Sequence, residues 1–379
     1  MKIDDKTSHN SPSIRFPEFT GEWEKCKIED ITDAVSSGKS KNHFSNGEYN
    51  LYGSTGIIGR TDKALYDGKL VLVARVGANA GFLQIINEPC GITDNTLILK
   101  PKGIDAFYLY YFLQHFNLNR LIFGSGQPLI TGGMLKKVKV SLGTISEQSK
   151  IVKFLSLLDE RIATQVRLID RLQSLIKGIM VKLQQQGLSK GTWKRVPLSS
   201  ILKERTELNE GLLPVYSVSV SQGVVNQMEY LGRSFAAKDT SKYHVAHFGD
   251  LIYTKSPTGS FPYGIVKQNS NRYKVAVSPL YGVYTPANYF TGVFLQEYFK
   301  SEVNTFNYLH SLIQKGAKNT INITNQRFLD NYILIPTDSN DLQQISNLLL
   351  RLNAKKDLMQ NMLQQYQEQK QYLLRQMFI

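Results

Sequence analysis

Two stretches decide how this 379-residue chain is read: EQSKIVKFLSLLDERIATQVRLIDRLQSLIKGIMVKL (Glu147–Leu183) and DLQQISNLLLRLNAKKDLMQNMLQQYQEQKQYLLRQM (Asp341–Met377). In the first, Ile151, Leu155, Leu158, Ile162, Gln165, Ile169, Leu172, Ile176, Ile179 and Leu183 fall at alternating steps of four and three, a heptad seam broken once by glutamine. Moving on by 194 residues gives Ile345, Leu349, Leu352, Lys356, Met359, Leu363, Tyr366, Lys370, Leu373 and Met377, the same seam with two lysines in it. A single amphipathic helix is more often a domain's own core helix, but two copies in register over five heptads reverse that reading. Each would run roughly 55 Å at 1.5 Å per residue, longer than a small domain is wide. The expectation is an intramolecular coiled coil that acts as a spacer, with Gln165, Lys356 and Lys370 weakening the seam while setting its register.

The flanks repeat as well. GEWEKCKIEDI (Gly21–Ile31) is echoed by GTWKRVPLSSI (Gly191–Ile201) at an offset of 170, and these hold both tryptophans of the chain. LVLVAR, ending at Arg75, aligns with LIYTK, ending at Lys255, at an offset of 180. Both read as a buried strand running into a loop with glycine or proline, VGANAG and SPTGS. Aromatic helical stretches follow, AFYLYYFLQHF (Ala106–Phe116) and FLQEYFKSEVNTFNYLHSLI (Phe294–Ile313). After each comes a glycine-bearing loop, GSGQPLIT (Gly124–Thr131) and KGAKNTINIT (Lys315–Thr324). Short strands VKVSL (Val138–Leu142) and YILIP (Tyr332–Pro336) then lead into the long helices. The predicted organisation is an N-terminal tail over 1–13, a first globule over 14–143, a helix over 144–187, a second globule over 190–338 and a helix over 339–379. The fold class is α+β: two similar α/β globules separated by two long helices, related by a pseudo-two-fold axis.

Composition narrows the function. Lysine and arginine outnumber aspartate and glutamate by 45 to 31, a net charge of +14, which favours a polyanionic partner such as nucleic acid. Both halves share the excess: 24 against 18 over residues 1–189, and 21 against 13 over 190–379. Cys26 and Cys90 are too few for a disulfide framework or a four-thiolate metal site and fit a reducing compartment. No run of eighteen apolar residues exists, and MKIDDKTSHNSPS lacks the apolar core of a signal peptide. A cytoplasmic protein with no membrane association is expected.

With RFPEF (Arg15–Phe19) and GEWE at the start, and the EQxKI pattern at Glu147–Ile151 where the first long helix begins, the chain resembles the specificity (S) subunit of Type I restriction-modification systems. The resemblance covers essentially the whole chain after about residue 13. In the second copy Asp341-Leu342 replaces the EQ pair and no RFPEF precedes the tryptophan. The resemblance implies that each globule is a target recognition domain for double-stranded DNA and that the two helices pack antiparallel. It also implies assembly with two modification (methyltransferase) subunits and, for cleavage, with restriction subunits. S-adenosylmethionine, ATP and Mg would be held by those partners and not by this chain.

Two like globules with different loops would read two unrelated half-sites, a bipartite asymmetric target. Amides, hydroxyls and arginines read base edges, and lysines meet phosphates. The loops after the paired strands offer Arg75 and Asn79, then Lys255, Ser256, Thr258 and Ser260. The second loop pair offers Ser125, Gln127 and Thr131, then Lys318, Asn319 and Asn322. Lys39, Lys41, Lys136, Lys137 and Lys139 are further phosphate candidates. Catalytic signatures are absent: GKS (Gly38–Ser40) lacks the first glycine of a phosphate loop, and GSTGIIG (Gly53–Gly59) reads as a turn. His244 and His247 stand without a metal-binding pattern, and no Asn/Asp-Pro-Pro-aromatic methyltransferase motif occurs. A different class of reading, a non-enzymatic coiled-coil scaffold carrying two protein-binding globules, leaves the basic charge without a role.

Overall fold

The computed structural model describes residues 11–41, 46–123, 128–233, 236, 238–315 and 321–379. The chain forms two compact units, Met1–Val166 with Asn361–Ile379, and Arg167–Gln360. Strands of the first unit are β1 (Glu24–Lys27), β2 (Thr32–Ser37), β3 (Tyr49–Gly53), β4 (Gly56–Thr61), β5 (Lys69–Ala74), β6 (Leu83–Asn87), β7 (Cys90–Ile92), β8 (Thr96–Pro101) and β9 (Lys139–Leu142). Helices α1 (Ala106–Phe116) and α2 (Gly132–Lys136) lie between β8 and β9, and the long α3 (Ile145–Ser189) follows.

The run KLVLVA makes β5 a central strand of the antiparallel sheet β2-β8-β5-β6. Its side chains alternate between two cores, as the period of a strand requires. Val71 and Val73 join α1, while Leu70 and Leu72 join Ile92 and Cys90 of the smaller sheet β4-β3-β7. Asp105 starts α1 by accepting the Phe107 N–H at 2.7 Å, and Asn117 ends it in the left-handed conformation, φ 57°. Strands β1 and β9 pair antiparallel, and the buried Tyr108 hydroxyl donates to Ser141 O at 3.0 Å. Ile151, Leu155 and Leu158 of α3, with Leu373, Leu374 and Met377 near the end of the second long helix, complete this core around Tyr108 and Phe112.

An arm over residues 11–20 ties the first unit to the start of α3. Arg15 Nε and Nη2 donate to Glu147 Oε1 and Oε2 at 2.7 and 2.8 Å, and Glu147 is fully buried. Lys150 pairs with Glu18 and lies 4.8 Å above the ring of Phe16, which meets Phe154 edge-on at 6.1 Å. RFPEF and EQxKI are therefore two halves of one contact.

The second unit holds β10 (Trp193–Pro197), β11 (Leu202–Glu204), β12 (Tyr216–Ser219), β13 (Gly223–Asn226), α4 (Gln227–Leu231), β14 (His244–Ala246), β15 (Leu251–Tyr253), β16 (Val266–Gln268), β17 (Val275–Val277) and β18 (Gly282–Pro286). It continues with α5 (Tyr289–Phe299), α6 (Glu302–Leu309), β19 (Gln314–Lys315), β20 (Ile321–Asn322), α7 (Asn325–Phe328), β21 (Tyr332–Pro336) and α8 (Ser339–Met377). The plan of the first unit recurs: the sheet β11-β18-β15-β16 matches β2-β8-β5-β6, and β10–β21 matches β1–β9. Asn288 caps α5 through the Thr291 N–H, where Asp105 caps α1. The structure corrects one expected match. The counterpart of Ala106–Phe116 is Tyr289–Phe299, also eleven residues, while α6 replaces a single 3-10 turn, Leu118–Leu121, of the first unit. The sequence comparison began five residues late because α5 and α6 are both aromatic-rich and run together.

In the first unit the start of α3 packs with the end of α8, and in the second the end of α3 packs with the start of α8, so the two helices run antiparallel. Ile151, Leu155, Leu158, Ile169, Leu172 and Ile176 are buried and Ile162 half-buried; beyond Ile176 the buried positions become Met180 and Gly187. Two successive steps of four, Leu172 to Ile176 to Met180, let the seam follow the 3.6-residue period. On α8, Leu349 and Leu373 are buried, and Ile345, Leu352 and Leu363 half-buried. Lys370 does not stand bare in the seam. Its ammonium pairs with Asp159 at 2.6 Å and lies over the Tyr111 ring, whose hydroxyl donates to the same carboxylate at 2.8 Å.

Candidate nucleic-acid interface

In the first unit β5 ends at Ala74 and the chain reverses over 75–82 into β6. Gly77 and Gly81, at φ 78° and 88°, supply the left-handed backbone of the reversal. The Arg75 N–H donates to Asn95 O, and its carbonyl accepts the Ile130 N–H, both at 2.9 Å; Gly77 donates to Pro128 O at 3.0 Å. The segment 128–131 is thus laced along the loop, and Arg75 and Thr131 are brought together. Asn79 is exposed at the loop's crest. The Thr131 hydroxyl accepts the Met134 N–H at 3.2 Å, so it caps α2 and its proton remains free to donate. Ser125 and Gln127 lie outside the described residues.

Arg75 Nε is buried with no hydrogen-bond partner among the described residues, and so is Thr96 Oγ1, opposite Ala74 in the ladder. A buried polar atom left unpaired costs about 1–3 kcal/mol. Such a cost at a loop junction is a reason to look for an incoming partner.

The hairpin between β3 and β4, which the sequence presents only as a turn, reaches the same point. Ser54 Oγ donates to Asn95 O at 3.2 Å, the carbonyl that also holds Arg75, and Thr55 is exposed. The signal was available in GSTGIIG, whose Gly-Ile-Ile returns as Gly-Val-Val at 223–225, an offset of 167.

In the second unit β15 runs into the loop 254–265. Lys255 takes a left-handed φ of 52°, and burial pushes its pKa down against the opposing pull of Glu204. Ser256 donates to Thr254 O at 3.2 Å, Thr258 to Ser256 O at 3.1 Å and Ser260 to Glu302, so these hydroxyls spend their protons within the unit and face outward as acceptors. Asn322 is exposed opposite Gln314; Lys318 and Asn319 lie outside the described residues. Thr324 caps α7 as Thr131 caps α2. Asn325 donates to Glu204 Oε1 at 2.6 Å while its own Oδ1 is buried without a partner among the described residues. Orphaned polar atoms therefore recur beside the end of β5 and beside Glu204, whose charge acts on Lys255. Glu204 and Asn325 were not foreseen, because neither lies in a loop.

Histidines 244 and 247 have local partners: Nδ1 of the first meets Tyr281 O at 2.8 Å and Nε2 of the second meets Glu207 at 2.5 Å. Hydrogen bonds from Lys274 first, then His247, hold the Glu207 carboxyl below its usual range. Among the described residues no cluster of His, Cys, Asp and Glu is arranged to hold a metal, and no helix is long and apolar enough to cross a membrane.

A mixed α/β unit thus recurs on paired long helices, with polar loops at matching places. The family model of the Type I restriction modification DNA specificity domain matches residues 20–174. Over that part of its length the chain is similar to the Type I restriction-modification specificity (S) subunits. It is 29% identical over 168 residues to the Type I restriction enzyme MjaVIII specificity subunit of Methanocaldococcus jannaschii, covering 41% of this chain and 39% of that protein. It is 28% identical over 112 residues to the Type I restriction enzyme EcoprrI specificity subunit of Escherichia coli, 29% and 28% of the two chains. The aligned segments thus span less than half the length of these relatives. The crystal structure of a Type-I restriction-modification system S subunit from M. genitalium shares the fold over 97% of this chain and 99% of that one, with a TM-score of 0.65 at 16% identity.

Proposed function

We propose that this chain is the DNA-recognition subunit of a Type I restriction-modification complex. Each unit reads one half of a bipartite, asymmetric double-stranded target, and the chain positions two modification subunits and the restriction subunits on it. It works in the cytoplasm and performs no chemistry itself; S-adenosylmethionine, ATP and Mg belong to its partners. The observation that carries this reading is the recurrence, in two units with the same sheet, of a loop junction bearing a cation and buried polar atoms without a partner among the described residues: Arg75 and Thr96 in one, Lys255 and Asn325 in the other. A shared scaffold with different side chains at the same place suits two different half-sites.

The reading side chains on this proposal are Arg75, Asn79, Ser125, Gln127 and Thr131 in one unit, and Lys255, Ser256, Thr258, Ser260, Lys318, Asn319 and Asn322 in the other. The experiment is to map methylated bases in the host with and without the gene. One bipartite motif should vanish on deletion. Methyl transfer by the purified chain supplied only with S-adenosylmethionine would contradict the non-catalytic assignment.

A further inference from the structure

The two units hold their hairpin tips by one device made from different side chains. In the first, β3 and β4 turn at Ser54 and Thr55, and Gln84 Nε2 donates to Gly53 O at 2.9 Å and Ser54 O at 3.1 Å. In the second, β12 and β13 turn over 220–222, and Lys267 Nζ donates to Val220 O at 2.7 Å. The two hairpins correspond in sequence, although the second turn is one residue longer. Tyr49 and Tyr216, Gly53 and Val220, and Gly56 and Gly223 are each 167 apart, and both of the closing glycines have positive φ, 134° and 76°. Gln84 and Lys267 correspond through the sheet, since Leu83 pairs with Val73 and Val266 pairs with Tyr253, at matched places in β5 and β15.

Lysine is a costly choice for this bond. Lys267 is 8% exposed, and Lys300 and Lys356 act on it along with a single acid, Glu297. Burial first, then the neighbouring cations, push its pKa down to about 8. Satisfying a carbonyl would need only an amide, as at Gln84. The cost is understandable if the exact placement of the tip matters. That tip presents Ser221 and Gln222 to solvent, and Gln222 borders an open cavity of about 520 Å³ with Asn226, Tyr230 and Asn271. In the first unit the equivalent tip touches Asn95 O, beside Arg75.

We infer that the tip of the β12–β13 hairpin, Ser221 with Gln222, is a further base-reading element for the half-site of the second unit. Lys267 is its positioning residue, as Gln84 is for Ser54 and Thr55 at the other half-site. The inference rests on the DNA-recognition reading above. An amide can read adenine with two hydrogen bonds and a hydroxyl can serve several bases. Either must be held to within about half an ångström to discriminate, which a short two-stranded ribbon does not achieve unaided.

The test maps methylated motifs in hosts carrying the wild-type gene, a deletion, or single substitutions. Gln222→Ala should relax the letters of one half-site and leave the other unchanged. Lys267→Met should lower methylation of the bipartite motif tenfold or more, and Lys267→Gln, which supplies the first unit's own donor, should restore most of it. Unfolding of the purified chain distinguishes a misplaced tip from a collapsed unit. Should Lys267→Met not fold, Gln222→Ala at its exposed position decides alone. An unchanged motif at unchanged level with Gln222→Ala overturns the reading role of the tip. Lys267→Gln as impaired as Lys267→Met, or a folded Lys267→Met that methylates normally, overturns the positioning role. If deleting the gene leaves every motif in place, the DNA-recognition reading itself fails.

Discussion

At the start of α3, Glu147 is fully buried and takes two hydrogen bonds from Arg15; at the start of α8, 194 residues on, Asp341 is exposed and is followed by Leu342. There Asp341, Gln344 and Ile345 border a cavity of about 240 Å³ with Trp193 and Gly187. The two sites share their packing frame, since each tryptophan is buried beside its long helix. They differ because the arm occurs once. A buried carboxylate is tolerable only beside its cation, so where no arm arrives the acid retreats to the surface and the motif fades. The weaker match of the second copy to the family pattern thus reflects a missing partner and not a different fold.

Breaking that contact should have the largest effect. Arg15→Ala leaves the Glu147 carboxylate buried and unpaired, at a cost of about 3–5 kcal/mol, whereas Asp341→Asn should change stability by no more than about 0.5 kcal/mol. Urea unfolding of the full chain measures both. Similar losses would show that the arm is not what separates the two helix starts.

A second contrast lies along α3 itself. At Gly187 an added Cβ would sit 1.9 Å from the Trp193 ring, while at Gly178 it would meet nothing within 4 Å. Gly187→Ala should therefore destabilise the chain by about 1–3 kcal/mol. Gly178→Ala should instead stabilise it by up to about 1 kcal/mol through helix propensity. The thermal midpoints of the two variants should move in opposite directions.

Comparison of the two loop junctions can be sharpened on DNA. Arg75→Ala should cost about 1–3 kcal/mol of discrimination at one position of one half-site. Lys255→Ala, if its ammonium meets a phosphate, should weaken binding evenly across sequences and lower the salt dependence by about one counterion. Competition binding with half-site variants at several salt concentrations separates the two outcomes.

The smallest effect compares the two clamps. Lys267 has a pKa of about 8 in the folded chain against 10.5 as its ordinary value. Between those values the unfolded chain binds more protons, so this group's contribution to stability rises with pH, by at most about 1.4 kcal/mol per pH unit. Below about pH 8 both states are protonated and the cost of burying the charge is felt in full. The difference in unfolding free energy between wild type and Lys267→Gln should accordingly shift in favour of wild type as pH rises from 8 to 9.5. A flat difference would mean that the ammonium is better solvated than its burial indicates.

Much of the architecture was legible in the sequence because it is local. Leu155, Leu158, Leu349 and Leu352 announce long helices through spacing alone, KLVLVA announces a buried strand, and the paired tryptophans announce duplication. The loop candidates were found by proximity to those strands. What escaped was fixed by register: Asn95 and Ser54 reach Arg75 only across β8 and the β3–β4 hairpin, and Glu204 reaches Asn325 from 121 residues away.

By itself the sequence determined the duplicated order of elements and the two matched long helices, since each rests on periodicities and repeats that need no knowledge of long-range contacts. Tertiary structure alone decided which polar groups stand together. Sheet register set Gln84 and Lys267 under their hairpin tips, and the docking of the arm joined Arg15 to Glu147 across 132 residues. Side chains on neighbouring strands meet by hydrogen-bond pairing between backbones, and that pairing has no fixed spacing along the chain.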